Sequence, residues 1–287
     1  MKVMSEKKKN LIIRSITGVL FVAIMVTSFI RPISMVFLFA LVTGMTVWEY
    51  CGLVSEWDDI QVNRFISTVS GVYLFIAMAG YCTGYTTSTV FIPYLVTILY
   101  LIIVELFTQA PNPINNWAYT MLSQMYIALP FSTLNILAFQ SHQGGEVTYN
   151  YLLPLSLFIF LWVNDTGAYC CGSLLGKHKL FARVSPGKTW EGSIGGAVFV
   201  IIAAAVIGWL VGDMEGGYSI PVWIGLGLVV VVFGTLGDLV ESLFKRTLGI
   251  KDSGNILPGH GGMLDRFDSS LMAIPAAVIY FYTLSLF

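Results

Sequence analysis

Nine stretches of about 20 mostly apolar residues follow one another along this chain, and that pattern is the mark of a membrane-spanning fold. They are 11–29, 33–54, 65–82, 88–107, 117–138, 151–172, 193–211, 220–239 and 267–286. The third is the weakest, since GVYLFIAMAGYCTG has only a short apolar centre. Backbone polar groups in lipid must find partners within their own segment, so stretches of this length read as helices. Only 11% of the 287 residues are charged and 56% are hydrophobic, against roughly 25% charged in soluble domains. The expected fold is an all-α polytopic membrane protein with about nine transmembrane helices.

Charge placement orients the helices. With the N-terminus in the cytoplasm, the basic residues Lys2, Lys7, Lys8, Lys9 and Arg14 lie inside. So do Arg64, the group Lys177, Lys179, Arg183 and Lys188, and the group Lys245, Arg246, Lys251 and Arg266. Of the 15 basic residues only Arg31 then falls outside, as the positive-inside rule requires. Glu146, Asp213 and Glu215 fall on the outer side. The basic N-terminus reads as the flank of a retained first helix rather than of a cleaved signal.

Two regions follow from this layout: N-terminal helices over 1–150, and a C-terminal region over 151–287 that carries the long cytoplasmic loops 173–192 and 240–266. Pro93, Pro130, Pro154 and Pro275 lie within spans and mark expected kinks. Cys51, Cys82, Cys170 and Cys171 have no metal-site or disulfide spacing and read as buried apolar side chains.

Chemistry concentrates in 240–268, VESLFKRTLGIKDSGNILPGHGGMLDRFD. Nine ionisable side chains stand there: Glu241, Lys245, Arg246, Lys251, Asp252, His260, Asp265, Arg266 and Asp268. Asp238, Glu241, Ser242 and Lys245 share one helical face. Gly259, Gly261 and Gly262 supply tight backbone beside Asp265 and Asp268. Carboxylates, glycines and cations together suit a divalent metal with phosphate. His260 has three readings: metal ligand, base or phosphate contact, or loop-ordering hydrogen bond.

Ionisable residues at membrane depth default to function. Asp165, in WVNDTGAY, and Asp238 stand on the side where the basic loops emerge, with polar packing as the alternative. Glu49 and Glu105 read as interfacial groups or helix–helix hydrogen bonds. Asn164-Asp165-Thr166 matches a glycosylation acceptor but lies within a span. GSLLGK at 172–177 is not a Walker sequence, being one residue short with His178 after the lysine. Lys177, His178 and Lys179 suit a basic patch facing anionic lipid. In SPGKTWEGS, Thr189 suits a helix cap, and a helix N-terminus suits phosphate. The residues alone describe a cytoplasm-facing membrane enzyme that handles a polyphosphate and a lipid.

The segment 242–268 resembles the signature of the phosphatidate cytidylyltransferases, or CDP-diglyceride synthases. The matching positions are Ser242, Lys245, Arg246, Lys251, Asp252, His260, Gly261, Gly262, Asp265, Arg266 and Asp268. WVNDTGAY and SPGKTWEG are similar to family segments as well, with Gly187 standing where lysine or asparagine is frequent. The resemblance is strongest from about Trp162 onward. It implies transfer of a cytidylyl group from CTP to phosphatidate, giving CDP-diacylglycerol and pyrophosphate. It also implies magnesium dependence, an associated potassium ion, a bacterial-type inner membrane and a homodimer.

On that resemblance, Asp238, Lys245, Lys251, Asp252, Asp265 and Arg266 are expected to be catalytic. Ser242, Arg246, Lys188, Thr189, His260, Gly261 and Gly262 are expected to bind. Asp238, Asp265, Asp165 and Asp268 are the expected metal ligands, with Asp238 and Asp265 matching the family's metal-holding aspartates. The competing readings are a secondary transporter of an anionic or phosphorylated substrate and another lipid-phosphate enzyme, such as a dolichol kinase or a CDP-alcohol transferase.

Overall fold

The computed structural model is mainly helical, as the long apolar runs require. It describes residues 6–57, 59–141, 146–212, 218–254, 256 and 261–285, with the backbone alone at 6–14 and 141. Among these residues nine helices run in order: α1 Glu6–Phe29, α2 Pro32–Val54, α3 Arg64–Cys82, α4 Ser88–Thr108, α5 Pro113–Ala138, α6 Leu152–Leu175, α7 Trp190–Val211, α8 Ile220–Thr247 and α9 Met263–Ser285. Helices α2 to α9 are each long and apolar enough to cross a membrane, the weak third stretch included; the described side chains of α1 form an apolar segment over Ser15–Phe29. The all-α polytopic membrane fold is therefore the fold of this chain.

Two small antiparallel hairpins punctuate the helices. Strands β1 (Phe139–Ser141) and β2 (Val147–Tyr149) pair Phe139 with Tyr149. Strands β3 (Lys179–Phe181) and β4 (Ser185–Thr189) pair Lys179 with Thr189 and fold up the loop between α6 and α7.

The expected loop 240–266 is shorter than the charge pattern suggested. Helix α8 continues to Thr247, and α9 already starts at Met263. Contacts four residues apart, Ser242 Oγ to Asp238 Oδ1 at 3.2 Å and Lys245 to Glu241 at 2.7 Å, carry α8 onward. Lys245 and Arg246 in its last turn suit the negative end of the helix dipole. Gly249, at φ +71°, follows and ends it.

The prolines also differ from expectation. Pro93 and Pro130 stand in the first turn of an α-helical segment, the latter directly after a π-helical turn at Ser123–Ala128. Pro154 is likewise in the first turn of α6. At Pro154 the missing N–H has no helical partner to lose, whereas Pro93 and Pro130 lie inside α4 and α5, where a 3-10 or a π turn gives way to α-helix. Pro275 alone lies deep within a regular helix. Of the cysteines, Cys51 is buried as expected, whereas Cys170 is exposed on α6.

The chain forms two compact units, 1–152 with 248–267, and 153–247 with 268–287. The core of the first is an aromatic cluster. Phe39 meets Phe29, Phe131 and Phe267 with ring centroids 5.4, 6.2 and 6.1 Å apart, and Phe131 meets Phe267 at 5.5 Å. Phe267 is fixed there by edge-to-face contacts, so the opening turn of α9 is anchored against α2 and α5.

Close helix crossings on small residues dominate the second unit, as in other membrane bundles. A Cβ on Gly196 of α7 would lie 2.8 Å from the backbone carbonyl of Asn164 on α6. A Cβ on Gly237 of α8 would lie 2.7 Å from the carbonyl of Asp268 on α9.

Candidate active site

The polar groups of the second unit gather where α8, α9 and the β3–β4 hairpin meet. The crossing at Gly237 is the cause: without a side chain there, α8 and α9 approach backbone to backbone. The next residue of α8, Asp238, then lies within electrostatic reach of Asp268. The charges of Asp165 on α6 and Lys245 on α8 also reach Asp268. Asp268 Oδ1 accepts from the N–H of Ser269 at 2.5 Å.

Lys188, on β4, places its ammonium 2.5 Å from Asp238 Oδ2, while Ser242 donates to Oδ1. The two side chains are about one-quarter exposed, so the pair sits in a partly wet recess. One turn further along α8, Glu241 is fully buried and pairs with Lys245 at 2.7 Å. The result is two acids flanked by two lysines, in the order Lys188, Asp238, Glu241, Lys245.

The hairpin that carries Lys188 is held at both ends. Thr189 is the N-cap of α7, its hydroxyl accepting from the N–H of Gly192 at 3.1 Å, a bond worth about 1 kcal/mol. Thr189 is thereby buried as a cap. Glu191, in the first turn of α7, accepts from the N–H groups of Lys177 and His178 and meets His178 Nδ1 at 2.6 Å. Lys177, Lys179, Trp190 and Ile194 line a shallow recess beside that pair. Lys177, His178 and Lys179, read from the sequence as a basic patch, are exposed here beside Glu191 and an exposed Trp190.

The first unit holds a different arrangement, around the start of α9. Asp265 Oδ2 accepts from the N–H of Gly262 at 2.8 Å and of Ser253 at 2.9 Å. Glu49 of α2 accepts from the N–H groups of Met263 and Leu264 at 2.8 and 3.0 Å. The N–H of Asp265 meets Ser253 Oγ at 3.3 Å. A helix leaves its first four N–H groups without helical partners, and here all four are satisfied by side chains. Gly261 has φ +80°, a left-handed conformation that glycine adopts without strain. Gly262 is buried where a Cβ would collide with the Glu49 carboxylate and Ser253 Oγ.

The remaining residues of the signature lie nearby in sequence and are exposed: Arg246 in the last turn of α8, Lys251 and Asp252 in the connection, and Arg266 on α9. Asp165 is exposed on α6. His260 and Gly259 lie outside the described residues. Sequence reasoning gave Glu49 two readings, an interfacial group or a helix–helix hydrogen bond, and its bonds to the start of α9 fit the second; it gave Ser253 no role. The available signal was a carboxylate at the end of a span, in WEYCG, and a hydroxyl in KDSG within the charged segment. Glu105 forms the helix–helix hydrogen bond that was one of its two readings, accepting from Asn116 at 3.0 Å.

The donor set suits magnesium. That ion takes one or two carboxylates together with phosphate oxygens and water, rather than a protein cage. Among the described residues no group of three or more Asp, Glu, His or Cys side chains is arranged to hold a metal. Asp238 and Asp268, which act on each other electrostatically, are the carboxylates of this unit that could hold such an ion.

Comparison with known proteins agrees with this chemistry. Residues 12–284 match the model of the cytidylyltransferase family. A phosphatidate cytidylyltransferase of Haemophilus influenzae is 33% identical over 266 residues, covering 86% of this chain and 91% of that protein. One of Staphylococcus aureus is 42% identical over 160 residues, covering 55% of this chain and 56% of its own. One of Staphylococcus haemolyticus is 41% identical over 160 residues.

Proposed function

The chain belongs to the cytidylyltransferase family, and on that premise we propose that it transfers the cytidylyl group of CTP to phosphatidate, releasing pyrophosphate. The observation that carries this reading is the placement of Lys188, Asp238, Ser242, Lys245 and Asp268 together in one polar site of a multi-pass membrane protein. The family signature contains Ser242, Lys245 and Asp268; Asp238 stands out as an acid at membrane depth that matches a metal-holding aspartate of the family, and Lys188 comes from the SPGKTWEG segment.

In the reaction, an oxygen of the phosphatidate monoester attacks the α phosphorus of CTP. The bond from that phosphorus to the bridging oxygen of the leaving group breaks, and pyrophosphate departs with the electron pair. The nucleophile is an anion at neutral pH, so the barrier lies mainly in bringing two anions together. Preorganised cations at the reacting phosphates are the main remedy a protein has. Lys188 and Lys245 provide them in the second unit, and Arg246, Lys251 and Arg266 are proposed as further phosphate contacts. Asp238 and Asp268 would hold magnesium, which when bound supplies charge neutralisation at phosphate oxygens. Asp165 adds negative charge to that donor set. Asp265 is proposed as a further carboxylate ligand, and Asp252 as a catalytic side chain, on the signature alone. Gly261 and Gly262 act through the tight turn they permit. A potassium ion and a homodimer enter on the same resemblance.

We place the N-terminus and the loops 173–192 and 240–266 in the cytoplasm of a bacterial-type inner membrane, where CTP is present; the basic-residue distribution supports this. The test is direct. Purified protein given cytidine-labelled CTP, phosphatidate and magnesium should form a chloroform-soluble cytidine lipid in equal amount to pyrophosphate. Formation of neither product would refute the assignment.

A further inference from the structure

Glu49 lies on α2, far in sequence from the signature, yet its carboxylate is inserted at the start of α9. It is only 6% exposed. Oε1 accepts from Ser253 Oγ at 2.5 Å and from the N–H of Leu264 at 3.0 Å; Oε2 accepts from the N–H of Met263 at 2.8 Å. Every hydrogen bond to this side chain among the described residues therefore comes from a donor, which matches the acceptor-only chemistry of a carboxylate. Two of those donors are the open N–H groups of a helix, where negative charge is favoured.

A buried acid at membrane depth is costly unless it is satisfied in this way. The backbone is shaped to admit it: a Cβ on Gly254 would lie 2.9 Å from Oε2, and one on Gly262 would overlap Oε1. Ser253 joins Glu49 to Asp265, because its hydroxyl bonds Glu49 and meets the N–H of Asp265, while its own N–H donates to Asp265 Oδ2. Two N–H bonds on Oδ2, from Ser253 and Gly262, fix the plane of the Asp265 carboxylate.

We propose that Glu49 is a positioning residue for the signature aspartate: it clamps the first turn of α9 and the Ser253 turn so that Asp265 is held ready for magnesium. The inference rests on the proposed role of Asp265 as a metal ligand. It gives a residue of the N-terminal helices a role at the start of α9. Groups that orient a metal ligand typically change metal affinity or activity by about 10- to 100-fold when altered.

Glu49→Gln keeps the shape but turns an amide NH2 toward a donor whichever way it faces. With folded, purified protein we expect the magnesium needed for half-maximal turnover to rise at least about tenfold, with KM for phosphatidate unchanged. Amide exchange over Met263–Asp265 should quicken, and its slowing by magnesium should disappear. Glu105→Gln, which removes a carboxylate hydrogen-bonded to Asn116, serves as the control and should leave the magnesium requirement unaltered. A folded Glu49→Gln protein with the wild-type magnesium requirement, or an activity loss that only tracks the folded fraction, overturns the proposal. If Glu49→Gln does not fold, Ser253→Ala carries the test, with the same direction of shift expected and no shift overturning it. If the wild type makes no cytidine lipid, the functional reading fails separately. The exchange measurement then still decides the clamp: persistence of magnesium-dependent slowing in Glu49→Gln overturns it.

Discussion

The ammonium of Lys188 lies 2.5 Å from the carboxylate of Asp238, joining the base of a short hairpin to the α8 polar face. Both residues carry the charge that a polyphosphate and its counter-ion require. A partly exposed ion pair contributes little to stability, and on the proposed reaction Lys188 meets phosphate. Replacing Lys188 by methionine should leave melting temperature within a few degrees of wild type and lower kcat/KM for CTP by about 100-fold, equivalent to about 2.7 kcal/mol. Lys188→Arg should recover only part of this, because a planar guanidinium does not replace a compact ammonium. Steady-state kinetics with CTP varied at fixed phosphatidate give the answer.

Asp238→Asn and Asp268→Asn remove one negative charge each from the proposed magnesium donors. Both should depress turnover by at least about 100-fold, within the range seen when preorganised electrostatics are lost. Excess magnesium should not restore Asp238→Asn, while phosphatidate binding to the purified protein should persist. Near-normal turnover at saturating magnesium would remove Asp238 from the metal.

Glu241 is fully buried against Lys245. Removing one member of a buried pair leaves the other charge uncompensated, at about 3–5 kcal/mol, whereas replacing both by apolar residues is often neutral. Lys245→Met alone should therefore lower thermal stability clearly, and Glu241→Leu with Lys245→Met should recover most of it. Neither protein should recover activity, since Lys245 is also proposed to face phosphate. Thermal unfolding in detergent, followed beside turnover, separates the two effects.

Gly237→Ala would set a methyl group 2.7 Å from the carbonyl of Asp268 and 3.1 Å from the Cα of Ser269. Both are backbone atoms, so α8 and α9 must move apart. The expected result is a loss of turnover larger than that of Gly187→Ala, where a Cβ meets no atom within 4 Å. Parallel assays of the two purified variants at equal folded fraction make the comparison.

The helices were legible because each is a long apolar run and lipid allows little else. Their ends were not, since charge alone marked the loop from 240. Glu241 and Lys245 instead pair along the helix and extend α8 to Thr247. Asp238, Ser242 and Lys245 could be grouped from helical spacing, and the structure puts Ser242 on Asp238. The contact of Lys188 with Asp238 was not readable, because it depends on how the hairpin folds back from α6. Nor was Glu49 readable as a clamp: its partners, Ser253, Met263 and Leu264, stand more than 200 residues away in the chain. Local spacing reports neighbours along a helix, while tertiary capping leaves no periodic trace.

The central claim is that the cytidylyl group, and not a terminal phosphoryl group, moves to the lipid. It is tested most directly by giving the purified protein phosphatidate, magnesium and CTP labelled either at the α or at the γ phosphorus. The account predicts that α label enters the lipid and γ label leaves as pyrophosphate. Transfer of γ label to the lipid, or no transfer of either with folded protein, would contradict it.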